Sequence, residues 1–177
     1  GGPAVQAQLN RPSRLALDAD GNLYISDASN GRIRRVDASS GVITTLGEGL
    51  SLAAAGGLAL DGAGNLFIAE TGNNRVLSLA LNTGAVTVFA GNGSASSTGD
   101  GGPAVAAGIN TPADLAWDSS GRLYIAESGG NRVRMVDPAG VITTVAGTGT
   151  AGAAGADGPA LQAQLNGPAG LALDAQR

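Results

Sequence analysis

Pro12-Ser13-Arg14-Leu15-Ala16-Leu17-Asp18-Ala19-Asp20-Gly21-Asn22-Leu23-Tyr24-Ile25-Ser26 is the first copy of a unit that recurs along this chain. Its central Leu-Ala-x-Asp segment returns at Leu58–Asp61, Leu115–Asp118 and Leu171–Asp174. In the first copy an acidic residue, Asp27, follows Asp18 by nine residues, and Arg32 follows five residues later. The next two copies keep both spacings, with Glu70 and Arg75, and with Glu127 and Arg132. Constant spacing over three copies indicates one structural unit that has been duplicated.

The pattern within each unit predicts four short strands. In the first unit these cover 14–18, 22–26, 32–36 and 42–46, and in the third unit 114–118, 122–126, 132–136 and 141–146. Ser29-Asn30-Gly31 predicts a type I′ turn between the second and third strands, because Asn and Gly tolerate positive φ. The second strand carries consecutive apolar residues, Leu23-Tyr24-Ile25, so the sheet is apolar on both faces. Stacking such sheets radially covers both faces, as in a β-propeller.

We therefore predict an all-β fold: a β-propeller of four-stranded antiparallel blades, with about three blades and the first strand of a fourth. The expected bounds are about 12–47 for blade 1, 56–91 for blade 2, 112–147 for blade 3 and 168–177 for the start of blade 4. A parallel α/β fold is excluded because no segment shows a long 3.6-residue apolar period. The units differ in length in the connections between blades. There Pro159-Ala160-Leu161-Gln162-Ala163-Gln164-Leu165 predicts about two turns of helix with Pro in the first turn.

The repeated pieces resemble the NHL-repeat family over essentially the whole chain. The matching segments are Pro12–Asp18, Gly64–Val76 and the connection Gly99–Ala104. The resemblance implies a propeller usually of six blades, whose loop-bearing rim or central channel binds partners. Members include RNA-binding regulators, extracellular sensor domains of bacterial kinases, adhesion receptors and a few lyases. It also implies that the chain is a piece of a longer propeller, whose open end blades allow self-association.

Composition argues against several classes of function. The net charge is −4 and the sequence has no run of basic residues. Because a nucleic-acid partner requires clustered Lys or Arg, we expect no binding to nucleic acid. No apolar stretch is long enough for direct membrane insertion. The absence of Cys and His removes thiol chemistry, zinc–thiolate sites and the commonest general base. We expect no cofactor and no metal, and any cation site would be all-oxygen.

The repeated polar residues are expected to serve the fold. We interpret the carboxylates at positions 27, 70 and 127, with the arginines five residues on, as exposed ion pairs within a blade or as braces for turns. Asp18-Ala19-Asp20-Gly21-Asn22 resembles the start of a calcium loop, but the other copies lose the second carboxylate, so we predict a plain turn. Asp100-Gly101-Gly102 is expected to be a loop entering the helix rather than an anion site.

Positions that differ between copies are better candidates for a site, because the fold does not dictate them. The residue before each Leu-Ala-x-Asp segment is Arg14, Gly57, Asp114 and Gly170. The third residue of that segment is Leu17, Leu60, Trp117 and Leu173. If the first strand lines the channel, Arg14 and Asp114 face its mouth with opposite charge, and Trp117 is an apolar or stacking anchor. The alternative is that these positions vary without function and that Trp117 fills the space between blades.

The predicted function is a non-catalytic scaffold that binds a protein, glycan or small-molecule ligand through inter-blade loops and the channel mouth, with Arg14, Asp114 and Trp117 as binding residues. By analogy with bacterial members it is expected to be extracellular or periplasmic. The alternative is part of a propeller lyase or metal-dependent lactonase. Lyases of this kind rely on His, which the chain lacks, so the sequence favours a protein without catalytic residues. A third function, RNA binding, needs a basic face that the sequence does not provide.

Overall fold

The computed structural model describes residues 1–47 and 49–174 of the 177-residue chain. The described part is all-β, as predicted, and its strands form three antiparallel sheets. The strands are β1 (Gly2–Pro3), β2 (Pro12–Leu17), β3 (Leu23–Asp27), β4 (Arg32–Val36), β5 (Val42–Leu46), β6 (Ala55–Leu60), β7 (Asn65–Glu70), β8 (Arg75–Ala80), β9 (Val86–Ala90), β10 (Pro112–Trp117), β11 (Leu123–Glu127), β12 (Arg132–Val136) and β13 (Ile142–Ala146). Single 3₁₀ turns cover Ala4–Gln6, Ala28–Asn30, Thr71–Asn73, Ala104–Ala106 and Ala160–Gln162. None of the helical segments within these ranges is long and apolar enough to cross a membrane.

Each sheet contains one predicted unit, with its four strands hydrogen-bonded in chain order. Blade 1 is β2–β5, blade 2 is β6–β9 and blade 3 is β10–β13. The first strand starts two residues earlier than predicted because Pro12 pairs with Asp27 across a bulge before Leu15, and blades 2 and 3 have the same bulge. The third strand of blades 1 and 3 matches the prediction residue for residue. The repeat therefore corresponds to one blade, and the prediction of four-stranded blades is confirmed.

The prediction of a type I′ turn after the second strand is wrong. The chain there makes a 3₁₀ turn, Ala28–Asn30, and only the next residue, Gly31, has a positive φ (60°). In blades 2 and 3 Asn74 and Asn131 hold the same left-handed position at φ 51°. A single left-handed residue closes a 3₁₀ turn, whereas a type I′ turn needs two in succession. The sequence correctly indicated that Asn and Gly adopt a left-handed conformation here. The turn itself has more residues than the two-residue type I′ turn that was predicted.

The predicted helix between blades is also wrong: the connections before blade 1, before blade 3 and after blade 3 each have one 3₁₀ turn rather than two turns of helix. In the connection before blade 3 the carbonyls of Ala104 and Ala107 accept hydrogen bonds from the N–H groups of Gly91 and Asn92. The carbonyl of Ala104 also accepts the N–H of Ala107, which closes the 3₁₀ turn, and the extended backbone at Ala107 ends the helical conformation there. Before the 3₁₀ turns at Ala4–Gln6 and Ala104–Ala106 the chain instead pairs with the outer strand of the next blade.

This outer pairing adds a fifth strand to blade 1. β1 pairs with β5, with Gly2 opposite Ile43. Before blade 3 Pro103, the equivalent of Pro3, forms a β-bridge to Val141. The connection before blade 2 is shorter, and its described residues, 47 and 49–54, have no such segment. The Gly-Pro-Ala segments at residues 2–4 and 102–104 therefore lie along the outer edge of the blade that follows them.

The apolar cores lie between blades. Tyr24 and Ile33 of blade 1 pack against Leu58, Leu66, Ile68, Leu77 and Leu79 of blade 2. On the other face of blade 2, Phe67 and Val76 pack against Leu115, Leu123 and Ile125 of blade 3. Each fully buried side chain of this size contributes about 1.5–3 kcal/mol. Both faces of blade 2 are therefore covered, as the consecutive apolar residues predicted.

The ends of the arc have uncovered apolar side chains. Leu15 and Leu17 of blade 1 are 62% and 65% exposed, whereas the equivalent Leu58 of blade 2 is 6% exposed. Residues 168–174, where the first strand of a fourth blade was predicted, form no strand. Residues 175–177 of that prediction lie outside the described residues.

Candidate functional site

The residues that precede the Leu-Ala-x-Asp segments meet at the centre of the arc. The inner strands are neighbours there, because β6 contacts both β2 and β10. Nε of Arg14 on β2 lies 3.4 Å from Oδ1 of Asp114 on β10. The backbone N–H of Leu171 donates to the other oxygen of Asp114, Oδ2, at 2.9 Å, and the Arg14 guanidinium also donates to the carbonyl of Ala169. The structure therefore brings together two of the three predicted site residues as an ion pair that links blades 1 and 3.

The glycine at this position in blade 2 makes the contact possible. A Cβ atom on Gly57 would lie 2.4 Å from Cα of Asp114 and 2.6 Å from its Oδ1. Real Cβ atoms do not approach other atoms so closely, so any side chain at this position would push β6 away from β10. Sequence reasoning identified the varying position but not this role of Gly57. The signal was the presence of glycine where the neighbouring blades have charged residues.

The ion pair is reachable from solvent. The Arg14 side chain is 35% exposed and the Asp114 side chain is 14% exposed. An ion pair of this exposure contributes little, from about 0 to 1 kcal/mol, because water screens both charges. Breaking it to bind a ligand therefore costs little. Its guanidinium N–H groups and carboxylate oxygens can serve as donors and acceptors for a polar ligand.

Trp117, the third predicted site residue, lies between blades 2 and 3. Its ring stacks on Phe67 of blade 2 with ring centroids 4.7 Å apart and planes 8° apart, and Phe89 packs nearby. The ring is partly buried against the core between these blades. It also lines a cleft of about 520 Å³ with Leu60, Asp61 and Asp118. Trp117 thus fills inter-blade space and leaves part of its ring facing a cleft.

The aspartates that end the Leu-Ala-x-Asp segments brace their own turns. Oδ1 of Asp18 accepts hydrogen bonds from the N–H groups of Asp20 (3.1 Å) and Asn22 (2.8 Å). Its Oδ2 accepts from the Asn22 side chain and from the Tyr24 hydroxyl. Desolvation alone would raise the pKa of Asp18, but these hydrogen bonds outweigh it and the pKa is lowered. Asp61 and Asp118 hold equivalent positions and their pKa values are also lowered. This segment is a plain turn, as predicted.

The carboxylates that end the second strands are buried, not exposed as predicted. Glu70 accepts hydrogen bonds from the N–H of Ala53 at 3.1 Å and from the Asn73 side chain at 2.8 Å, so it joins the inter-blade connection to the following turn. Asp27 and Glu127 are also fully buried. The carboxylate of Asp27 binds the N–H of Asn10 in the connection before blade 1. These residues brace turns, which confirms one of the two alternatives.

The predicted ion-pair partners are correct only in blade 2, where Nε of Arg75 lies 2.5 Å from Glu70. In blades 1 and 3 the partner is the arginine two residues further along the third strand, Arg34 or Arg134. Arg132 instead donates to the carbonyl of Thr148. In blade 2 the residue at the position of Arg34 and Arg134 is Leu77, so Arg75 forms the ion pair with Glu70 instead.

Blade 3 has a distinct polar cluster around Glu127. Nη1 of the fully buried Arg134 lies 3.1 Å from Oε1 of Glu127, and Nη2 lies 2.7 Å from Asp100. The Ser97 hydroxyl donates to Oε2 of Glu127. Burial raises the pKa of Glu127, although hydrogen bonds from Ser97 and the charge of Arg134 oppose the shift. The cluster fastens the connection before blade 3 to the blade.

The Asp100-Gly101-Gly102 segment belongs to this same connection. The N–H of Gly101 donates to the carbonyl of Ile142, and the N–H of Gly102 donates to the carbonyl of Gly99. Since these N–H groups are used within the protein, the segment offers no cradle for an anion. The prediction of a loop rather than an anion site is confirmed, although the loop leads into a single 3₁₀ turn.

Comparison with known proteins finds a repeat-family match within blade 1 and several similar folds. Residues 9–36 match the sequence model of the NHL repeat. Among solved structures, the chain is similar to a protein of unknown function from Bacteroides thetaiotaomicron, with a TM-score of 0.72, 23% identity, and coverage of 90% of this chain and 41% of that one. It is also similar to an auxiliary nutrient-binding protein from the same organism, with a TM-score of 0.67, 19% identity, and coverage of 88% and 41%. A gluconolactonase from Xanthomonas campestris has a TM-score of 0.59, 19% identity, and coverage of 81% and 49%.

These likenesses support the propeller fold. The chain spans about two-fifths of the length of the first two structures. A search of curated proteins by sequence found no match.

The turn carboxylates predict how stability depends on pH. The pKa values of Asp18, Asp61 and Asp118 are lowered from 3.8, and hydrogen bonds from Ser39 and Ser40 lower that of Asp37 to about 2. A carboxyl group whose pKa is lower in the folded chain stabilises it above the unfolded pKa, and this stabilisation is lost as pH falls through the folded pKa. We expect the free energy of unfolding to fall between about pH 4 and pH 2, as measured by urea unfolding.

Asp118→Asn is expected to make this fall shallower, because it removes one of the titrating groups. Ser120→Ala in the same turn is the control and is expected to leave the slope unchanged. Glu127 has the opposite sign, since its raised pKa stabilises the protonated form at low pH and that contribution is lost as pH rises through it. A stability that rises steadily toward pH 2 would show that the turn carboxylates are not the dominant titrating groups.

Proposed function

We propose that this chain, whose NHL repeats form consecutive blades of a β-propeller, is a non-catalytic scaffold that binds a polar ligand at the ion pair of Arg14 and Asp114. The observation that carries the proposal is the convergence of the varying positions. Arg14, Gly57, Asp114 and the backbone beside Gly170 meet at one place on the inner strands. Nothing in the repeat requires charges there, because blade 2 forms the same strand with glycine.

The repeated polar residues support this assignment by contrast. Asp18 and its equivalents are bonded within their own turns, and Asp27, Glu70 and Glu127 are buried braces. Their side chains are therefore used by the fold in every blade. The pair of Arg14 and Asp114 occurs once, is partly exposed and contributes little stability. A polar ligand can therefore reach this pair and exchange hydrogen bonds with it.

The chemistry of the pair favours a ligand with carboxylate, hydroxyl or amine groups, which a glycan, a small metabolite or a protein side chain can supply. The Arg14 guanidinium would bind a carboxylate or hydroxyl oxygen, and Asp114 would accept a hydrogen bond from a hydroxyl or amine. Trp117, the third predicted binding residue, lines a separate cleft with Leu60, Asp61 and Asp118 at the turns of blades 2 and 3. The likeness to an auxiliary nutrient-binding protein agrees with this proposal, and with an extracellular or periplasmic location.

The proposal is tested by screening polar metabolites and glycans for compounds that raise the melting temperature of the chain. Arg14→Gln and Asp114→Asn are expected to weaken binding of any such compound by roughly tenfold to a hundredfold, the usual loss for a charged hydrogen bond. Isothermal titration calorimetry gives the dissociation constants. Arg35→Gln is the matched control. Arg35 lies away from the inner strands, and its guanidinium is 3.4 Å from the carboxylate of Asp37 in a partly exposed pair.

Binding that all three variants retain would place the ligand elsewhere and contradict the proposal. Binding that Arg35→Gln also abolishes would indicate a general effect of charge rather than a site.

The second candidate is part of a propeller enzyme, and the likeness to a gluconolactonase keeps it open. Within residues 1–47 and 49–174 no three carboxylate, His or Cys residues are close enough to hold one metal ion together. Asp114 and Asp18 are the carboxylates that a metal-dependent lactonase reaction would draw on at the inner strands. Asp18 is bonded within its turn, and Asp114 faces the Arg14 guanidinium, which repels a cation.

We therefore expect no rise in melting temperature when Ca²⁺ is added to millimolar concentration. The reason is that Asp114 would have to exchange an arginine and a backbone N–H for the ion. Differential scanning fluorimetry with Ca²⁺, and with Mg²⁺ for comparison, measures this. A clear rise with Ca²⁺ that Asp114→Asn abolishes would favour the lactonase over the scaffold.

A further inference from the structure

The chain contains three Asn-Gly pairs, at Asn30-Gly31, Asn92-Gly93 and Asn166-Gly167. In such a pair the backbone nitrogen of the glycine can attack the side-chain amide carbon of the asparagine, because glycine has no Cβ to obstruct the approach. A nitrogen that already donates a hydrogen bond must first break it. The reactivity of each pair therefore depends on how the fold uses the glycine N–H.

Among the residues that the structure describes, the N–H of Gly93 has no acceptor, whereas the N–H groups of the other two glycines do. The N–H of Gly31 donates to the carbonyl of Ala28 at 3.2 Å. The N–H of Gly167 donates to Oδ1 of Asn131 at 3.0 Å. The fold thus restrains the nucleophile in the first and third pairs and leaves it free in the second.

The side chain of Asn92 is held next to this nitrogen. Its Oδ1 accepts a hydrogen bond from the N–H of Ser94 at 2.9 Å, which folds the side chain along the backbone of Gly93. Its Nδ2 donates to the carbonyl of Ala106 at 2.9 Å. The N–H of Ser94 is therefore placed to stabilise the negative charge that develops on Oδ1 when the amide carbon is attacked. Asn92 and Gly93 are both exposed, so water reaches them.

The fold does not require asparagine in this turn. The equivalent turn after blade 3, residues 147–150, has Thr148 in place of Asn92. The hydroxyl of Thr148 accepts the N–H of Thr150 at 3.3 Å, as Oδ1 of Asn92 accepts that of Ser94. The glycine between them has a φ of 88° in one turn and 89° in the other. Threonine therefore makes the same turn without a reactive amide.

We propose that Asn92 is a site of spontaneous covalent modification, which converts its side-chain amide to a carboxylic acid. A bond forms between the nitrogen of Gly93 and Cγ of Asn92, the bond from Cγ to Nδ2 breaks, and Nδ2 leaves as ammonia with the proton of Gly93. Water then opens the resulting five-membered imide at either carbonyl, which gives aspartate or isoaspartate.

Either product changes the surface of the connection before blade 3. It lacks the Nδ2 donor that binds the carbonyl of Ala106, so this tie within the connection is lost. It also adds a carboxylate to a cleft of about 570 Å³ that Asn92 lines together with Arg75. The modification thus exchanges a neutral donor for a negative charge beside an arginine.

Peptide mapping of the folded chain during incubation in neutral buffer tests the proposal. Cleavage after arginine places the three pairs in different peptides, residues 15–32, 76–122 and 135–177, and mass spectrometry detects the conversion of amide to acid. The chain unfolded in guanidinium chloride is the reference. Breaking one hydrogen bond slows a reaction by up to about tenfold, so folding is expected to slow Asn30 and Asn166 by up to this factor. Asn92 is expected to react at least as fast in the folded chain. Slowing of Asn92 to the same extent as the other two would overturn the proposal.

Two variants locate the reaction. Asn92→Thr is expected to fold normally, because Thr148 makes the same turn, and to abolish the mass gain in peptide 76–122. Ser94→Ala is the matched control, since it keeps the backbone N–H that binds Oδ1, and it is expected to react like the wild type. A mass gain in the Asn92→Thr peptide equal to that of the wild type would place the reaction at Asn82 or Asn110 and would contradict the assignment.

Discussion

A four-stranded sheet that is apolar on both faces is stable only when another sheet covers each face, and the rest of this structure depends on that requirement. The hydrogen bonds of a blade join its strands to one another but do not cover its apolar side chains. A blade alone would therefore leave those side chains in water. Blade 2 meets the requirement completely, with Leu66 and Ile68 buried on one face and Phe67 and Val76 on the other. Because the blades differ in how far they are covered, stability is expected to vary along the chain in the manner of other repeat proteins.

The same requirement divides the polar residues into two groups. Stacking places each blade against the next, and the connection between two blades must be held in one conformation for the blades to stay packed. The buried carboxylates Asp27, Glu70 and Glu127 do this by binding backbone N–H groups of the preceding connection. Residues that the stacking does not need are free to differ, and among them the charges of Arg14 and Asp114 converge. The candidate site therefore lies where the demands of the fold are weakest.

Repetition in the sequence was enough to predict the blades and their third strands, because spacing is a property of the chain itself. The connections were mispredicted because their conformation depends on a neighbouring blade. The alanines of Pro103-Ala104-Val105-Ala106-Ala107 suit a helix, yet the chain is already extended at Ala107, where its carbonyl accepts the N–H of Asn92 in the preceding turn. Likewise Arg34 and Arg134, rather than the predicted Arg32 and Arg132, bind the carboxylates of blades 1 and 3. Residues two apart on a strand project to the same face, so the spacing in the sequence does not distinguish them. The varying positions could be identified from the sequence, but the contact between Arg14 and Asp114 depends on how tightly the inner strands approach across Gly57.

Native-state hydrogen exchange in dilute solution tests most directly whether blade stacking stabilises this chain. The second strands β3, β7 and β11 are all hydrogen-bonded to a strand on either side, so they differ chiefly in how their faces are covered. The account predicts that the amides of β7, which is covered on both faces, exchange most slowly. Those of β3 and β11 should exchange faster, because blade 1 lacks cover at Leu15 and Leu17 and blade 3 lacks it at Tyr124. Equal protection in the three strands, or slower exchange in β3 or β11 than in β7, would contradict the account.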